Sequence, residues 1–296
     1  MKQNILITGA SGFIGRNLVE QLSDRHNLFS PRSSELDLLN QEAVELYLKK
    51  HSIDQVIHAA VYHVTRNSGK DPLLGLSNNL RMFFNLSRCQ HIYKKMIYFG
   101  SGAEYGKQKP ICSVSEDDFG DIVPSDEYGL YKYALTTMLP NYNNIYNLRL
   151  FGIYGKYEDW HIRFISNAIC KTLFDMDITI KKNVYFDYMY IADLVPILTH
   201  CINSDTLPYQ VMNVCTGTRI DLVSVAHLIQ KISGKKNSIH VLNEGYAPEY
   251  TASNNRLKEV LPSVVFTSTE KAIAELYHWY AQRKDSIDKK KLEVDP

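Results

Sequence analysis

The apolar run Ile5-Leu6-Ile7 passes directly into three glycines, Gly9, Gly12 and Gly15, and helical spacing then takes over through Phe13, Ile14, Leu18, Val19 and Leu22. That order spells a β-strand, a tight turn and a helix N-terminus, which commits the chain to an α/β architecture from its first crossover. Gly9 lets the backbone turn, Gly12 lets it approach a ligand, and Gly15 lets the helix pack on the strand. Unpaired amides and the positive end of the helix dipole face the same point, where a pyrophosphate fits. A dinucleotide of the NAD or NADP type is the ligand this turn implies. Spacing of glycines alone is equally compatible with a plain loop; its position between strand and helix decides for the binding turn.

The bulk properties narrow the remaining classes. At 296 residues the chain is long enough for one α/β domain with a smaller lobe. A net charge of +1, with no basic stripe, offers nucleic acid no attractive field. Cys89, Cys112, Cys170, Cys201 and Cys215 are scattered without metal-ligand spacing, so buried reduced thiols are expected and no metal site. The apolar run Ile5–Ile7 is too short for a signal peptide and no stretch reaches membrane-spanning length, so a cytoplasmic chain without membrane partners is the expectation.

Strand and helix patterns alternate along the first half. Strands are expected at 27–30, 54–60, 95–100 and 144–150, and helices at 40–50, within 72–93 and over 128–142. Such alternation builds right-handed βαβ units, so a Rossmann-type, doubly wound parallel sheet is predicted. Residues 1–155 form the expected dinucleotide-binding domain, rejoined by segments near 184–218. Residues 156–183 and 219–285 form the expected substrate lobe, with helices near 161–174 and 221–233 and strands near 178–182 and 239–242. A charged tail occupies 286–296, and fraying is expected from Gln282 onward.

Tyr128 and Lys132 stand four apart on a predicted helix and so share one face. An ammonium beside a phenol favours the phenolate, and a tyrosine tuned in this way can exchange a proton with a carbonyl or alcohol oxygen. With 20 tyrosines such a pair arises by chance about once, and Tyr105/Lys109 is a second match, set aside because it falls in a Gly/Pro-flanked loop. Ser101 adds context: it ends the strand KMIYFG, where a parallel sheet gathers its ligands, and its hydroxyl can help polarise a carbonyl. Glycine turn, serine and Tyr-x-x-x-Lys in that order are more specific than any one of them.

With these residues in place the chain resembles the extended short-chain dehydrogenases/reductases, the NAD(P)-dependent nucleotide-sugar epimerases, dehydratases and reductases. TGASGFIG at 8–15, Asp37-Leu38, His58-Ala59-Ala60, Ser101, Tyr128/Lys132, RLFGIYG at 149–155 and YMYIAD at 188–193 carry the likeness over nearly the whole chain. PRSSELDLLNQEAV at 31–44, IDQVIHAA at 53–60 and NVCTGTRID at 213–221 bring it nearest the GDP-L-fucose synthase group. The resemblance implies that Gly9, Gly12 and Gly15 hold the pyrophosphate, with Ser11, Phe13 and Ile14 also binding the cofactor. It places Asp37 and Leu38 by the adenine, with Ala59 and Ala60 also along the cofactor. Lys132 would reach the nicotinamide ribose, while Ser101 and Tyr128 would contact the sugar 4-oxygen. Strand two ends near Ser30 without the acidic residue that grips an adenosine 2′-hydroxyl, and Arg32 and Arg16 lie nearby. That favours NADP(H) over NAD(H), unless Arg32 is a solvated loop residue.

Departures from the family pattern shape the chemistry. Gly102 and Ala103 stand where dehydratases carry Asp-Glu, and Ala103 also replaces the cysteine used for C3/C5 epimerisation. Its histidine partner is matched loosely by His161, for which a structural role competes. Gly152 and Phe186 replace a common asparagine and a phosphate-binding arginine, leaving Lys181, Lys182 or Arg219 to supply positive charge. The reaction expected is reduction of the C4 keto group of a nucleotide-linked 4-keto-6-deoxy sugar in deoxysugar or surface polysaccharide synthesis. An NAD-dependent 4-epimerase and a non-catalytic NADP-sensing regulator are the alternatives. Helices 72–93 and 128–142 resemble those through which the family dimerises, or they simply cover the sheet.

Overall fold

The computed structural model describes residues 2–62 and 71–293. In chain order its first half contains β1 (Asn4–Thr8), α1 (Phe13–Leu22), β2 (Asn27–Phe29), α2 (Gln41–Lys50), β3 (Gln55–His58), α3 (Gly75–Ser87), β4 (Lys95–Ser101), β5 (Ile111–Val114), α4 (Glu127–Met138) and β6 (Ile145–Leu150). The second half contains β7 (Gly152–Tyr154), α5 (Phe164–Leu173), β8 (Ile178–Asn183), β9 (Tyr185–Phe186), β10 (Tyr188–Tyr190), α6 (Leu194–Asn203), β11 (Val211–Val214), β12 (Ile220–Asp221), α7 (Leu222–Ser233), β13 (Ile239–Tyr246), β14 (Tyr250–Ala252), α8 (Asn255–Val260) and α9 (Thr269–Ala281).

Six of these strands form one parallel sheet in the order β11-β6-β4-β3-β1-β2. Strands covered on both faces are largely apolar, and β3, β4 and β6 are buried at every position, their few polar side chains included. The two faces separate by the period of two: Ile5 and Ile7 join Leu18, Leu22, Leu194 and Leu198 from α1 and α6. Leu6 turns the other way, to Val44, Leu48, Phe83, Leu86 and Leu135 from α2, α3 and α4. Each such side chain contributes about 1.5–3 kcal/mol when fully buried. The chain moves outward from β1 to β2 and then crosses back to β3. The order therefore reverses between β1 and β3, and a crevice opens at the C-terminal ends of those strands.

The remaining elements build a cover over that edge. A second sheet runs β12-β9-β14-β5, and α5, α7 and α9 pack together beside the β8/β13 pair. Residues 111–114 pair with β14 in this second sheet, although the sequence reading leaves them inside the first domain. Helix α4 stops at Met138, short of the expected 142, because Pro140 lies in the 3₁₀ turn that follows. Fraying from Gln282 is also corrected: two 3₁₀ turns follow α9, and Ile287 and Leu292 are 7% and 0% exposed within the larger core. The last three residues of the tail lie outside the described residues.

Candidate active site

The first turn has the shape its glycines imply. Gly9 has φ of +68°, and a Cβ there would meet Ala60 at 2.7 Å. A Cβ on Gly15 would meet the Gly9 carbonyl oxygen at 2.3 Å, so Gly15 packs the helix onto the turn itself. Gly12 caps α1 without any side-chain hydrogen bond, and no acidic residue occupies the first turn. The amides at the start of α1 thus remain available to an anion, the chemistry a dinucleotide pyrophosphate requires. Phe13, Ile14, His58 and Ala59 form one end of a cleft of about 1020 Å³. His58 stays neutral there: its Nδ1 lies 2.8 Å from the Thr8 hydroxyl, and burial lowers its pKa to about 3.

Beyond β2, Arg32 is exposed, with its amide donating to the Glu35 carboxylate at 2.7 Å. Arg16 stacks over the Tyr157 ring at 3.7 Å, which leaves Arg32 as the freer cation of the two. Asp37 is exposed and accepts from the Leu39 amide at 2.9 Å, bordering a separate shallow depression with Arg81. The carbonyl of Leu38 accepts from Asn85 at 2.9 Å.

Ser101, Tyr128 and Lys132 line the same cleft, together with Tyr250 and Glu249 from the covering sheet. Asp126 starts α4 by accepting from the Gly129 amide at 2.9 Å, and the helix then carries Tyr128 and Lys132 on its cleft face. The Ser101 hydroxyl accepts from the Ala103 amide at 3.2 Å and lies 3.4 Å from the Tyr250 hydroxyl. Lys132 is 6% exposed and donates to the Phe99 carbonyl at 2.5 Å. Burial lowers its pKa to about 8, against the opposing pull of the Glu104 carboxylate.

The expected acidification of Tyr128 by Lys132 is corrected. Tyr128 is 39% exposed, yet desolvation within the cleft raises its pKa, and Ser101 and the Arg163 charge pull it partly back. Tyr128 is accordingly a neutral phenol, a proton donor rather than a phenolate. The Lys132 ammonium is turned toward the Phe99 carbonyl. Tyr105 and Lys109 diverge as a loop allows: Tyr105 is buried at 5% exposure, whereas Lys109 borders the cleft.

Beneath these side chains lies a buried polar network that the sequence pattern does not reveal. Arg149 Nε donates to Glu104 Oε2 at 2.8 Å, and both side chains are 0% exposed. Glu104 Oε1 accepts from the Ser101 amide at 2.9 Å, and Oε2 accepts from the Thr136 hydroxyl at 2.8 Å. Asn147 donates to both carboxylate oxygens, at 3.2 and 3.3 Å. Arg149 Nη1 donates to the Tyr105 hydroxyl at 2.6 Å and to Asn213 at 3.2 Å. Glu104 therefore fixes the backbone that carries Ser101.

Several expected substrate contacts fall elsewhere. Gly102 and Ala103 are buried beneath the cleft; a Cβ on Gly102 would meet Phe151 at 2.5 Å. The His161 ring lies against Trp160 at a tilt of 50°, with centroids 3.7 Å apart, its Nδ1 is 3.0 Å from Asp159, and it does not line the cleft. Lys181 is exposed on β8. Arg219 pairs at 2.9 Å with Glu249, which lines the cleft, but does not line it itself. Besides Lys132, the cations on the walls are Lys107, Lys109 and Arg163. Among the described residues no cluster of His, Cys, Asp or Glu could hold a metal ion, and no helix is long and apolar enough to cross a membrane.

The pattern of the NAD dependent epimerase/dehydratase family matches residues 5–215. A GDP-L-colitose synthase from Yersinia pseudotuberculosis is 26% identical over 258 residues, covering 79% of this chain and 83% of that protein. A GDP-L-fucose synthase from Dictyostelium discoideum is 25% identical over 328 residues, covering 97% of this chain and 98% of that protein. A solved GDP-mannoheptose C4 reductase from Campylobacter jejuni with NADP bound shares the fold, with a TM-score of 0.80 at 21% identity over 94% of this chain and 98% of that one. The family match spans well over half of the chain, from the glycine turn through Ser101 and the Tyr128/Lys132 helix: the protein belongs to the NAD dependent epimerase/dehydratase family.

Proposed function

We propose that this chain is an NADP(H)-dependent reductase of the C4 keto group of a nucleotide-linked 4-keto-6-deoxy sugar. The observation that carries the reading is the meeting of Ser101, Tyr128 and Lys132 in one cleft that also reaches the start of α1. The bound nicotinamide supplies hydride to the sugar carbon. Tyr128, a neutral phenol, donates its proton to the oxygen that becomes negative, and Ser101 donates a hydrogen bond to the same oxygen. Lys132, held on the Phe99 carbonyl in the same cleft, would supply a positive charge to the ribose of the bound dinucleotide. Holding these groups on one wall of the cleft replaces a search in solution with a fixed approach.

Reduction without C3/C5 epimerisation follows from two details. Ala103 has no exchangeable proton and is 1% exposed, and the His161 ring lies outside the cleft. Arg32, exposed beyond β2 with no acidic residue at the strand end, supports NADP(H) as the dinucleotide. The relatives named above act, by their names, on GDP-linked sugars, which supports GDP as the nucleotide. The cations Lys107, Lys109 and Arg163 suit its diphosphate. A cytoplasmic homodimer feeding surface polysaccharide synthesis completes the reading, with the dimer checked by light scattering. Turnover of 4-keto-6-deoxy sugars linked to GDP, CDP, dTDP and UDP, with NADPH and NADH and products identified by NMR, tests it. One 4-hydroxy product per NADPH consumed is the expected result. Interconversion of 4-epimers without net NADPH consumption would overturn it in favour of an epimerase.

A further inference from the structure

Glu158 is a cleft-lining carboxyl for which the proposed reaction has no use. It is 7% exposed and has no cationic partner within ion-pair distance among the described residues; its Oε2 accepts from the Ser166 hydroxyl at 2.6 Å. Its position is set by the segment just after the Gly155 turn, which is fastened to the beginning of α1. Asn17, 2% exposed, donates to the Lys156 carbonyl at 2.8 Å and to the Phe13 carbonyl at the same distance. Arg16 stacks on Tyr157, whose hydroxyl donates to Glu20. Glu158 thus stands beside the helix turn that receives the pyrophosphate, on a wall shared with Ile14, Phe164 and Tyr188.

An ionised carboxylate in that position would repel an anionic dinucleotide, whereas a protonated one can donate to it. Ser166 holds Oε2, and the side chain lines the cleft. We propose that Glu158 is a cofactor-contacting residue whose carboxyl donates a hydrogen bond to an acceptor oxygen of the bound nicotinamide dinucleotide. The assignment rests on the reading of the cleft as a dinucleotide site. Its surroundings favour the neutral acid: burial is the largest influence and raises the pKa to about 8, reinforced by Asp159. The Ser166 hydroxyl, the Arg163 charge and the Gly155 contact oppose it. The other titratable groups facing it are the phenols of Tyr154 on β7, Tyr188 on β10 and Tyr280 on α9, all held protonated.

The test is the dissociation constant of NADPH between pH 6.5 and pH 9.5, read from the fluorescence of the bound nucleotide, for the wild type and for Glu158→Gln. A glutamine amide can donate but cannot ionise, so the two proteins bind alike near pH 7. Above pH 8 the wild type weakens relative to E158Q, by about tenfold at pH 9, one unit beyond the transition. Taking the ratio removes the titration of Lys132 and of the nucleotide, which both proteins share. Ser166→Ala removes a bond that favours the ionised form, so its transition moves to higher pH; a purely structural role would not move it. A ratio that stays flat with pH, or E158Q binding tenfold weaker at pH 7 while melting like the wild type, would overturn the assignment and leave the cofactor reading intact. Failure of the wild type to bind NADPH or NADH at any pH would overturn both.

Discussion

The Glu104–Arg149 pair offers the most demanding prediction, because both groups are wholly removed from water while one of them carries Ser101. In Glu104→Gln the shape of the side chain survives but the guanidinium of Arg149 is left uncompensated at 0% exposure. In Arg149→Met the carboxylate keeps its Ser101, Thr136 and Asn147 donors and loses the opposite charge of Arg149, the only one within ion-pair distance among the described residues. Removing one partner of a buried pair costs about 3–5 kcal/mol, most of it the stranded charge. The double variant strands neither, so it should be less destabilised than the sum of the singles by about 2–3 kcal/mol. With a urea slope of about 3 kcal/mol/M for a chain of this size, a loss of 4 kcal/mol lowers the midpoint by about 1.3 M. Unfolding followed through Trp160 and Trp279 reads all four proteins on one scale. Singles that lose less than about 1 kcal/mol, or strict additivity in the double, would refute the claim that this pair is a desolvated, mutually dependent unit.

Other consequences are equally open to measurement. Tyr128→Phe deletes the proton donor and should lower turnover by about 10²- to 10⁴-fold while NADPH still binds, which separates loss of chemistry from loss of the site. Arg32→Ala should raise the KM for NADPH by about 10- to 100-fold with little change for NADH, the size of one charge-assisted hydrogen bond. Lys132 carries its proton below pH 8 and loses it above, so kcat/KM in the E158Q background should be level on the acid side and fall on the alkaline side of about 8. An unchanged rate through pH 9.5 would show the cation to be unnecessary. Leu292→Asp should destabilise the protein by about 3 kcal/mol or more in thermal or urea unfolding, since the side chain is 0% exposed in the main core.

What the sequence made legible was whatever is written in short-range periodicity. The alternation of Ile5, Leu6 and Ile7 between two faces, the glycine turn, and the shared helical face of Tyr128 and Lys132 all depend on neighbours within a few positions. The charge state of Tyr128 was not legible, because it depends on desolvation by the cleft walls and on Lys132 finding the Phe99 carbonyl. Glu104 follows Ser101 with no periodic mark, and its partner Arg149 arrives 45 residues later on another strand. Tyr250 reaches Ser101 across 149 residues. In the tail, the run of charges at 288–291 masked Ile287 and Leu292, whose burial is decided by the helices they meet.

Strand β5 comes from the stretch between β4 and α4 yet hydrogen-bonds into the covering sheet through β14. Any attempt to change specificity by grafting the distal part of a relative onto this amino-terminal half inherits that seam. A crossover placed after residue 150 would leave β5 facing a foreign neighbour, and the Ser101–Tyr250 contact would be inherited only by chance. Donor fragments for recombination should therefore travel in two pieces, the stretch around 107–118 together with the carboxy-terminal portion.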